Sequence, residues 1–92
     1  MNIYSESDSV IRKIKQGIIK AGSIVRLTHP SGNSHCVRIR GYNRYRDKMI
    51  GCDMGWDNGA SQYYDLNNCI VELIEEAQRH SCKTYFEWHN KE

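Results

Sequence analysis

The apolar residues of this chain change their spacing at Gly22, where a helical repeat gives way to alternation. Before this glycine, apolar residues recur on one stripe of a helix, which predicts a helix over residues 8–21. Ser7 or Asp8 is suited to cap its start, and Gly22 is suited to end it. After Gly22, apolar and polar residues alternate as in strands with one buried face. We therefore expect one N-terminal helix followed by a β-rich segment.

Turn residues divide the β-rich segment into short strands. Residues 23–29 and 34–42 alternate on the two sides of the turn Pro30–Asn33, which predicts a hairpin. Three more strands are expected after it, at residues 48–54, 62–66 and 69–74. In the first of these, alternation places one apolar set inward: Ile50, Cys52 and Met54. A short helix at about residues 74–81 and a strand over 83–89 complete the order.

Short strands joined by tight turns favour a small closed or nearly closed barrel at this chain length. Ninety-two residues form one domain, 1–92, with no room for two. Within it, we assign 8–21 to the helix, 23–74 to the small barrel and 75–92 to a C-terminal extension. The expected fold class is α+β: an N-terminal helix, a strongly bent antiparallel sheet or barrel, and a short C-terminal helix and/or strand.

Two stretches of the chain resemble known small barrels. SIVRLTHPSGNSHCVRIRGYNRY, residues 23–45, and YYDLNNCIVEL, residues 63–73, are similar to the first half and the closing strands of the Sm-like fold. The segment 23–74 also resembles the barrel of WYL domains. The resemblance implies five bent strands in an SH3-like barrel behind an N-terminal helix. The Asp-Gly or Asn-Gly signature that places bases in Sm rings is not matched at Asn67-Asn68, so no base-binding residue and no ring assembly carries over.

Composition excludes several other classes of protein. No apolar run approaches the ~18 residues of a membrane span, and the N-terminal residues MNIYSESDS lack the regions of a signal peptide. We expect a cytoplasmic protein with no membrane partner. The four cysteines stand far apart without a CxxC pair, and the four histidines do not supply the spacing of a zinc site. We therefore expect reduced thiols, no metal and no cofactor.

Charge is divided unevenly along the chain. Residues 1–48 hold ten Lys or Arg against three Asp or Glu, a net charge of +7. Residues 49–92 hold three Lys or Arg against eight Asp or Glu, a net charge of −5. A cationic half suggests an anionic partner such as nucleic acid, a nucleotide or an acidic protein. The same separation permits self-association, basic face to acidic face, into a homo-oligomer.

The basic residues of the first hairpin form the candidate binding site. Alternation places Arg26, Arg38 and Arg40 on the polar side of two adjacent strands. The predicted nucleic-acid or anion site joins them to residues that follow: Tyr42, Arg44, Tyr45, Arg46 and Lys48. Guanidinium groups bind phosphates with paired hydrogen bonds, and aromatic rings stack bases. The alternative is a solvated face whose arginines pair with acids of neighbouring strands: Asp53, Asp65 or Glu72.

The loop over residues 55–61 is a second candidate site. Trp56 and Asp57 lie in this Gly-rich loop, where an exposed aromatic residue often contacts a partner. The alternative is that Trp56 caps one end of the barrel.

No motif in the chain specifies a reaction. Cys36 with His35, and Cys82 with His80, are neighbours in sequence, but neither pair has a recognisable third orienting group. His29 or His35 beside the arginines would suit a metal-free nuclease. Because no catalytic motif is recognisable, the sequence nevertheless indicates a protein that is not an enzyme.

We thus expect a small non-enzymatic binding protein whose arginine-rich sheet face binds nucleic acid or a nucleotide-like anion. Its contacts would be mostly to phosphate, so affinity should fall with salt. The alternative is a protein-interaction module that regulates or inhibits a larger complex, as small accessory proteins of phages and mobile elements do. A third possibility is a small ribonuclease toxin.

Overall fold

A computed structural model describes residues 3–55 and 60–79, with side chains from Glu6 onward. One helix, α1, spans Ile3–Lys15. Five strands follow in an antiparallel sheet: β1 Ile24–Thr28, β2 Ser34–Asn43, β3 Lys48–Asp53, β4 Gln62–Tyr64 and β5 Ile70–Glu75. A single 3-10 turn, Leu66–Asn68, precedes β5. The α+β class and the predicted hairpin are confirmed.

The helix begins and ends earlier than the prediction of 8–21. Gly17, with φ of 77°, ends it. The amide of Ile18 bonds the carbonyl of Lys13 at 2.9 Å, and the amide of Gly17 bonds that of Ile14 at 3.1 Å. This pair of bonds is a Schellman ending, for which glycine is suited because it tolerates positive φ. Gly22 instead bonds the carbonyl of Ile39 at 2.7 Å and leads into the sheet.

The predicted capping residues also have a different position. Ser7 and Asp8 lie inside α1 rather than at its start. The buried Ser7 hydroxyl accepts a hydrogen bond from the amide of Val71 at 2.8 Å. This bond ties the helix to β5 and satisfies a backbone donor that burial would otherwise leave unpaired.

The strand order across the sheet is β4-β3-β2-β1-β5. The edge strands β4 and β5 therefore lie farthest apart in the order. Within residues 3–55 and 60–79 no ladder joins these two edges, so closure into a barrel is not shown. One face of the sheet packs with α1 over a buried cluster that includes Ile14, Leu27, Ile39 and Met49. We call the opposite side the outer face.

A bulge at Arg40 changes which residues of β2 point into the core. Ile39 pairs with Gly51, but Gly41 pairs with Ile50, so β2 has one more residue than β3 at this point. Residues before the bulge point inward at odd numbers, and the next inward residue is Tyr42. A bulge inserts one residue and so reverses the alternation beyond it.

The inward set predicted for β3 is wrong. The core face carries Met49 and Gly51, whereas Cys52 is only partly buried and Met54 is 46% exposed. Ile50 is buried but stands outside the core cluster. Gly51 lies so close to Val37 that a side chain at this position has no room. A glycine at this inward position interrupts the apolar alternation of the sequence, so the alternation does not reveal the inward face of β3.

The predicted helix at about 74–81 is not seen in its described part. Ile74 and Glu75 belong to β5, where Glu75 pairs with Ile24, and residues 76–79 are not helical. Pairing with β1 outweighs the local helical spacing. The strand predicted over 83–89 lies outside the described residues. α1, the one α-helix of residues 3–55 and 60–79, is too short and too polar to cross a membrane.

Gly51→Ala should lower the free energy of unfolding by about 1–3 kcal/mol, because overpacking forces neighbouring atoms apart. A Cβ at this position would lie 2.5 Å from Val37 Cγ1 and 3.0 Å from the Arg38 carbonyl oxygen. Urea denaturation measures the change. The double variant with Val37→Ala tests the cause, because removing Cγ1 should recover part of the loss. Full additivity of the two substitutions would contradict the proposed clash.

Candidate functional site

Three predicted arginines lie on the outer face of the sheet. Arg26 on β1 pairs with Cys36 on β2, and Ile24 pairs with Arg38. Arg26 and Arg38 are therefore diagonal neighbours across two strands, within reach of one ligand. Arg40 occupies the bulge on the same side, where its Nη1 lies 3.3 Å from the sulfur of Cys52. Alternation correctly predicted that these three share a face.

Arg26 has an acidic partner, whereas Arg38 has a neutral one. Arg26 Nη1 lies 3.9 Å from Glu72 Oε1, and the two side chains are 47% and 41% exposed. Arg38 is exposed and donates to the backbone carbonyl of Gly22 at 3.2 Å. An exposed ion pair contributes about 0–1 kcal/mol, so Glu72 holds Arg26 weakly. The outer face thus keeps a net positive charge around Arg38.

The connection between β2 and β3 adds a cation on an aromatic ring. The guanidinium carbon of Arg46 lies 4.9 Å from the centre of the Tyr63 ring. Tyr63 stands on β4 opposite Ile50, which places it on the outer face, where it is 47% exposed. Arginine over an aromatic face is a cation–π contact. We call Arg26, Arg38, Arg40, Arg46 and Tyr63 the basic face.

The other predicted residues of this site lie around the same connection. Arg44 is exposed, Lys48 is half-buried opposite Asn43, and Tyr45 is 73% exposed. Arg44 makes no ion pair within the described part of the chain. Arg44 and Lys48 extend positive charge from the outer face to one end of the sheet.

Tyr42 does not share the surface with the arginines, contrary to the prediction. It is 3% exposed in the core and donates a hydrogen bond from its hydroxyl to Asp47. Burial, together with Asp47, raises the pKa of Tyr42. The bulge at Arg40 is the physical reason, since it turns the next tyrosine inward. Trp56 and Asp57, the predicted partner-contact loop, lie outside the described residues.

A second cluster lies at one end of the core face and was not predicted. His29 directly follows β1 and His35 is the second residue of β2, and their Nε2 atoms lie 2.9 Å apart. His35 Nδ1 lies 2.7 Å from Asp53 Oδ2. On the other side, His29 Nδ1 lies 3.4 Å from the sulfur of Cys69. Four titratable side chains from four parts of the sequence thus form one continuous chain of contacts, which we call the histidine chain.

The acid at the end of the histidine chain is held as a carboxylate. The hydrogen bond from His35 lowers the pKa of Asp53, and the amide of Gly55 adds to the effect at 2.8 Å from Oδ1. At the other end, burial raises the pKa of the Cys69 thiol, and the charge of Asp65 adds to the rise. The resting chain therefore carries an anion at Asp53 and a protonated thiol at Cys69.

A pocket of about 350 Å³ opens beside Cys69 and His29. Asp8 of α1, Thr28, Asn67 and Asn68 form much of its polar wall. No group of three or more His, Cys, Asp or Glu among residues 3–55 and 60–79 converges on a point that would hold a metal ion. The histidine chain is a linear path of hydrogen bonds rather than a ligand shell.

Part of this cluster had a signal in the sequence. His29 and His35 flank the turn of a predicted hairpin, so closure of that hairpin brings them together. Leu27 pairs with His35, and the His29 amide bonds the carbonyl of Asn33 at 2.8 Å. Cys69 lies 40 residues from His29, and nothing local in the sequence indicates that contact.

Comparison with protein-family models, with curated proteins and with solved structures gave no match.

Asp53→Asn should lower stability at neutral pH and reduce its dependence on acid. The folded-state pKa of Asp53 is depressed, so its stabilisation is present above the unfolded value of about 4 and is lost as the pH falls through the folded value. Urea denaturation at several pH values should show a constant difference from the wild type near neutrality that shrinks in acid. Glu75→Gln, at an exposed position on β5, is the control. A difference between Asp53→Asn and wild type that stays unchanged in acid would contradict this prediction.

Proposed function

We propose that this protein binds single-stranded nucleic acid, or a nucleotide as its shortest form, on the basic face. The observation that carries the proposal is the position of Arg38 and Arg46 on one outer face with Tyr63. Arg38 donates to a neutral carbonyl, and Arg46 lies over a ring, so neither guanidinium is neutralised by a carboxylate contact in the described residues. Such groups keep their charge for a phosphate.

The exposed Tyr63 ring favours a single strand over a duplex. Bases of a single strand are free to stack on aromatic side chains, and arginine takes part through its planar group. Arg46 already lies against this ring at 4.9 Å. We infer that a base stacks beside this pair while Arg38 and Arg40 bind the neighbouring phosphates.

Among the described residues of the acidic half, Glu72 and Glu75 meet the basic face at its border on β1. Glu72 lies opposite Arg26 and Glu75 lies opposite Ile24 on the neighbouring strand β5. The contact of Arg26 with Glu72 is long, at 3.9 Å. Exposed pairs of this kind exchange readily for a phosphate, because their net contribution is about 0–1 kcal/mol. The binding surface is therefore centred on β2 and the β2–β3 connection, with Arg26 at its rim.

The small-barrel fold is a further part of this proposal. A bulge in the ten-residue strand β2 supports it, because bulges bend a strand and increase its local twist. In a closed barrel of this kind, β2 would bend at Arg40. The part of the sheet that carries Arg38 would then be held at a fixed angle to the connection that carries Arg46. The ligand would then have to follow the curve of the sheet.

A second function, a protein-interaction module, is favoured by the edge strand β5. Leu73 and Ile74 are exposed there, at 36% and 49%, beside Glu72 and Glu75. Mixed apolar and acidic residues on a sheet edge suit a basic protein partner. The binding experiments below separate this function from the first, because β5 contributes little to the basic face.

Arg38→Glu should weaken binding of a fluorescently labelled single-stranded oligonucleotide by about tenfold or more, since a charge-assisted contact contributes about 1.5–3 kcal/mol. Fluorescence anisotropy at low and moderate salt measures the affinity. The wild type should lose affinity steeply with salt, and the variant should show a smaller salt slope.

Arg12→Glu is the matched control, because it makes the same charge change on an exposed position of α1, across the sheet from the basic face. Its effect should be at most about twofold, as expected for net charge alone. Equal losses of oligonucleotide affinity in the two variants would show that net charge alone attracts the oligonucleotide, and this would contradict a specific contact at Arg38. No binding by the wild type at low salt would exclude it and would favour the interaction module on β5.

Tyr63→Leu should separate stacking from phosphate binding. Loss of one stacked base costs about 1–3 kcal/mol, so the oligonucleotide should bind more weakly while inorganic polyphosphate binds as before. Tyr45→Leu is the control, because it removes another exposed tyrosine, on the β2–β3 connection. If Tyr63→Leu leaves oligonucleotide affinity unchanged, the ring has no role in binding and only the phosphate contacts stand.

A further inference from the structure

We propose that Cys69 is a nucleophilic thiol that forms covalent adducts with small neutral carbon electrophiles, with the histidine chain accepting its proton. This inference is independent of the basic face, because the histidine chain lies at the core side of the sheet. The sulfur of Cys69 lies 3.4 Å from His29 Nδ1, and a pocket opens beside both residues. Nucleophile, base and binding space thus occur together.

The proton positions along the histidine chain follow from its end at Asp53. A carboxylate only accepts hydrogen bonds, so His35 Nδ1, which lies 2.7 Å from Asp53 Oδ2, carries the hydrogen of this bond. With a neutral His35, its Nε2 accepts from His29 Nε2 across 2.9 Å. His29 Nδ1 is then unprotonated and faces the thiol of Cys69. The resting arrangement therefore has a base aimed at the nucleophile.

Attack on an electrophile moves two protons along this path. The thiol proton passes to His29 Nδ1 while the Nε2 proton of His29 passes to His35 Nε2. His29 stays neutral, and the positive charge appears on His35, beside the Asp53 carboxylate that is 2.7 Å away. Asp53 thus stabilises the imidazolium and holds its orientation, as the acid of a catalytic triad does. With an alkyl halide, the C–S bond forms, the carbon–halogen bond breaks, and halide leaves with the electron pair.

The surroundings of Cys69 keep the thiol protonated until an electrophile arrives. Asp65 lies next to it, with the Cys69 sulfur 3.5 Å from the Asp65 carbonyl oxygen, and Asp8 of α1 lines the pocket. Tyr64 of β4 lies edge-on to His35, with ring centres 5.8 Å apart. The charge that acts on the thiol is that of Asp65, whereas Lys15 of α1 donates to Asn67 at the pocket wall and also pairs with Asp47. A base that takes the proton during attack suits this site better than a preformed thiolate would.

The same charges select the electrophile. Asp8 and Asp65 repel an anion that enters the pocket, whereas a neutral molecule enters without this penalty. The side-chain amides of Asn67 and Asn68 stand in the wall and donate to Asp47 and Asp65, each at 3.0 Å. Each –NH2 group has a second hydrogen that is suited to bind a carbonyl group. A neutral electrophile that carries an amide or carbonyl next to its reactive carbon matches the pocket.

Alkylation with iodoacetamide, resolved by mass spectrometry for each cysteine, tests the proposal on the intact protein. Cys36 serves as the internal control, because it is equally half-buried but its sulfur makes no hydrogen bond in the described residues. Near pH 7, Cys69 should react at least about tenfold faster than Cys36. This ratio is below the rate acceleration of about 100-fold or more that a positioned general base contributes. Iodoacetate, the anionic analogue, should show a smaller preference for Cys69.

His29→Gln keeps a polar side chain but removes the base. It should slow Cys69 about tenfold near neutral pH, and the variant and wild type should converge at a pH above the raised pKa of the Cys69 thiol, where hydroxide removes the proton. Asp53→Asn should give a smaller loss with the same convergence. An unfolded variant is recognised because Cys36 would accelerate as well.

Two results would overturn the proposal. In the first, Cys69 reacts no faster than Cys36 in the wild type. In the second, His29→Gln and Asp53→Asn slow Cys69 equally at every pH, which shows that they change access to the sulfur rather than proton transfer. Neither result bears on binding at the basic face, so the two proposals fail separately.

Discussion

The bulge at Arg40 is the constraint on which the surface chemistry of this protein depends. One extra residue in β2 makes Ile39 pair with Gly51 and Gly41 pair with Ile50. Without it, the alternation that puts Val37 and Ile39 in the core would continue, and Tyr42 would point outward. With it, Arg38 and Arg40 remain on the outer face while Tyr42 fills the core at 3% exposure. A single change of register in β2 therefore lets its arginines face outward while Val37, Ile39 and Tyr42 all face the core.

The two faces of the sheet differ in chemistry because one faces solvent and the other packs with α1 over the core. On the outer face, Arg26 and Arg38 are exposed to water and keep their charge. On the core side, the hairpin turn brings His29 and His35 together where the sheet meets α1, and their side chains bond each other instead of solvent. Cys69, which lies between the 3-10 turn and β5, and Asp53 of β3 complete the chain. A ligand on one face has no direct contact with the other.

Turn chemistry and alternation were enough to predict the hairpin, the positions of the strands and the shared face of Arg26, Arg38 and Arg40. The misplaced features depend on contacts that are distant in sequence. Gly17 rather than Gly22 ends the helix because Gly22 bonds β2, and Glu75 extends a strand because it pairs with β1. Tyr42 was misplaced because a bulge leaves no mark in the residue pattern. Tyr63 and Cys69 were missed because their partners, Arg46 and His29, reach them only through tertiary structure.

The register of β2 against β3 is the most direct test of the account, and nuclear Overhauser effects between the two strands measure it. The bulge predicts contacts between the Tyr42 and Met49 side chains, and backbone contacts from Ile39 to Gly51 and from Gly41 to Ile50. A regular ladder without the bulge would instead pair Arg40 with Ile50 and Tyr42 with Lys48. Observation of that second set would place Tyr42 on the outer face and would contradict the arrangement of both faces described above.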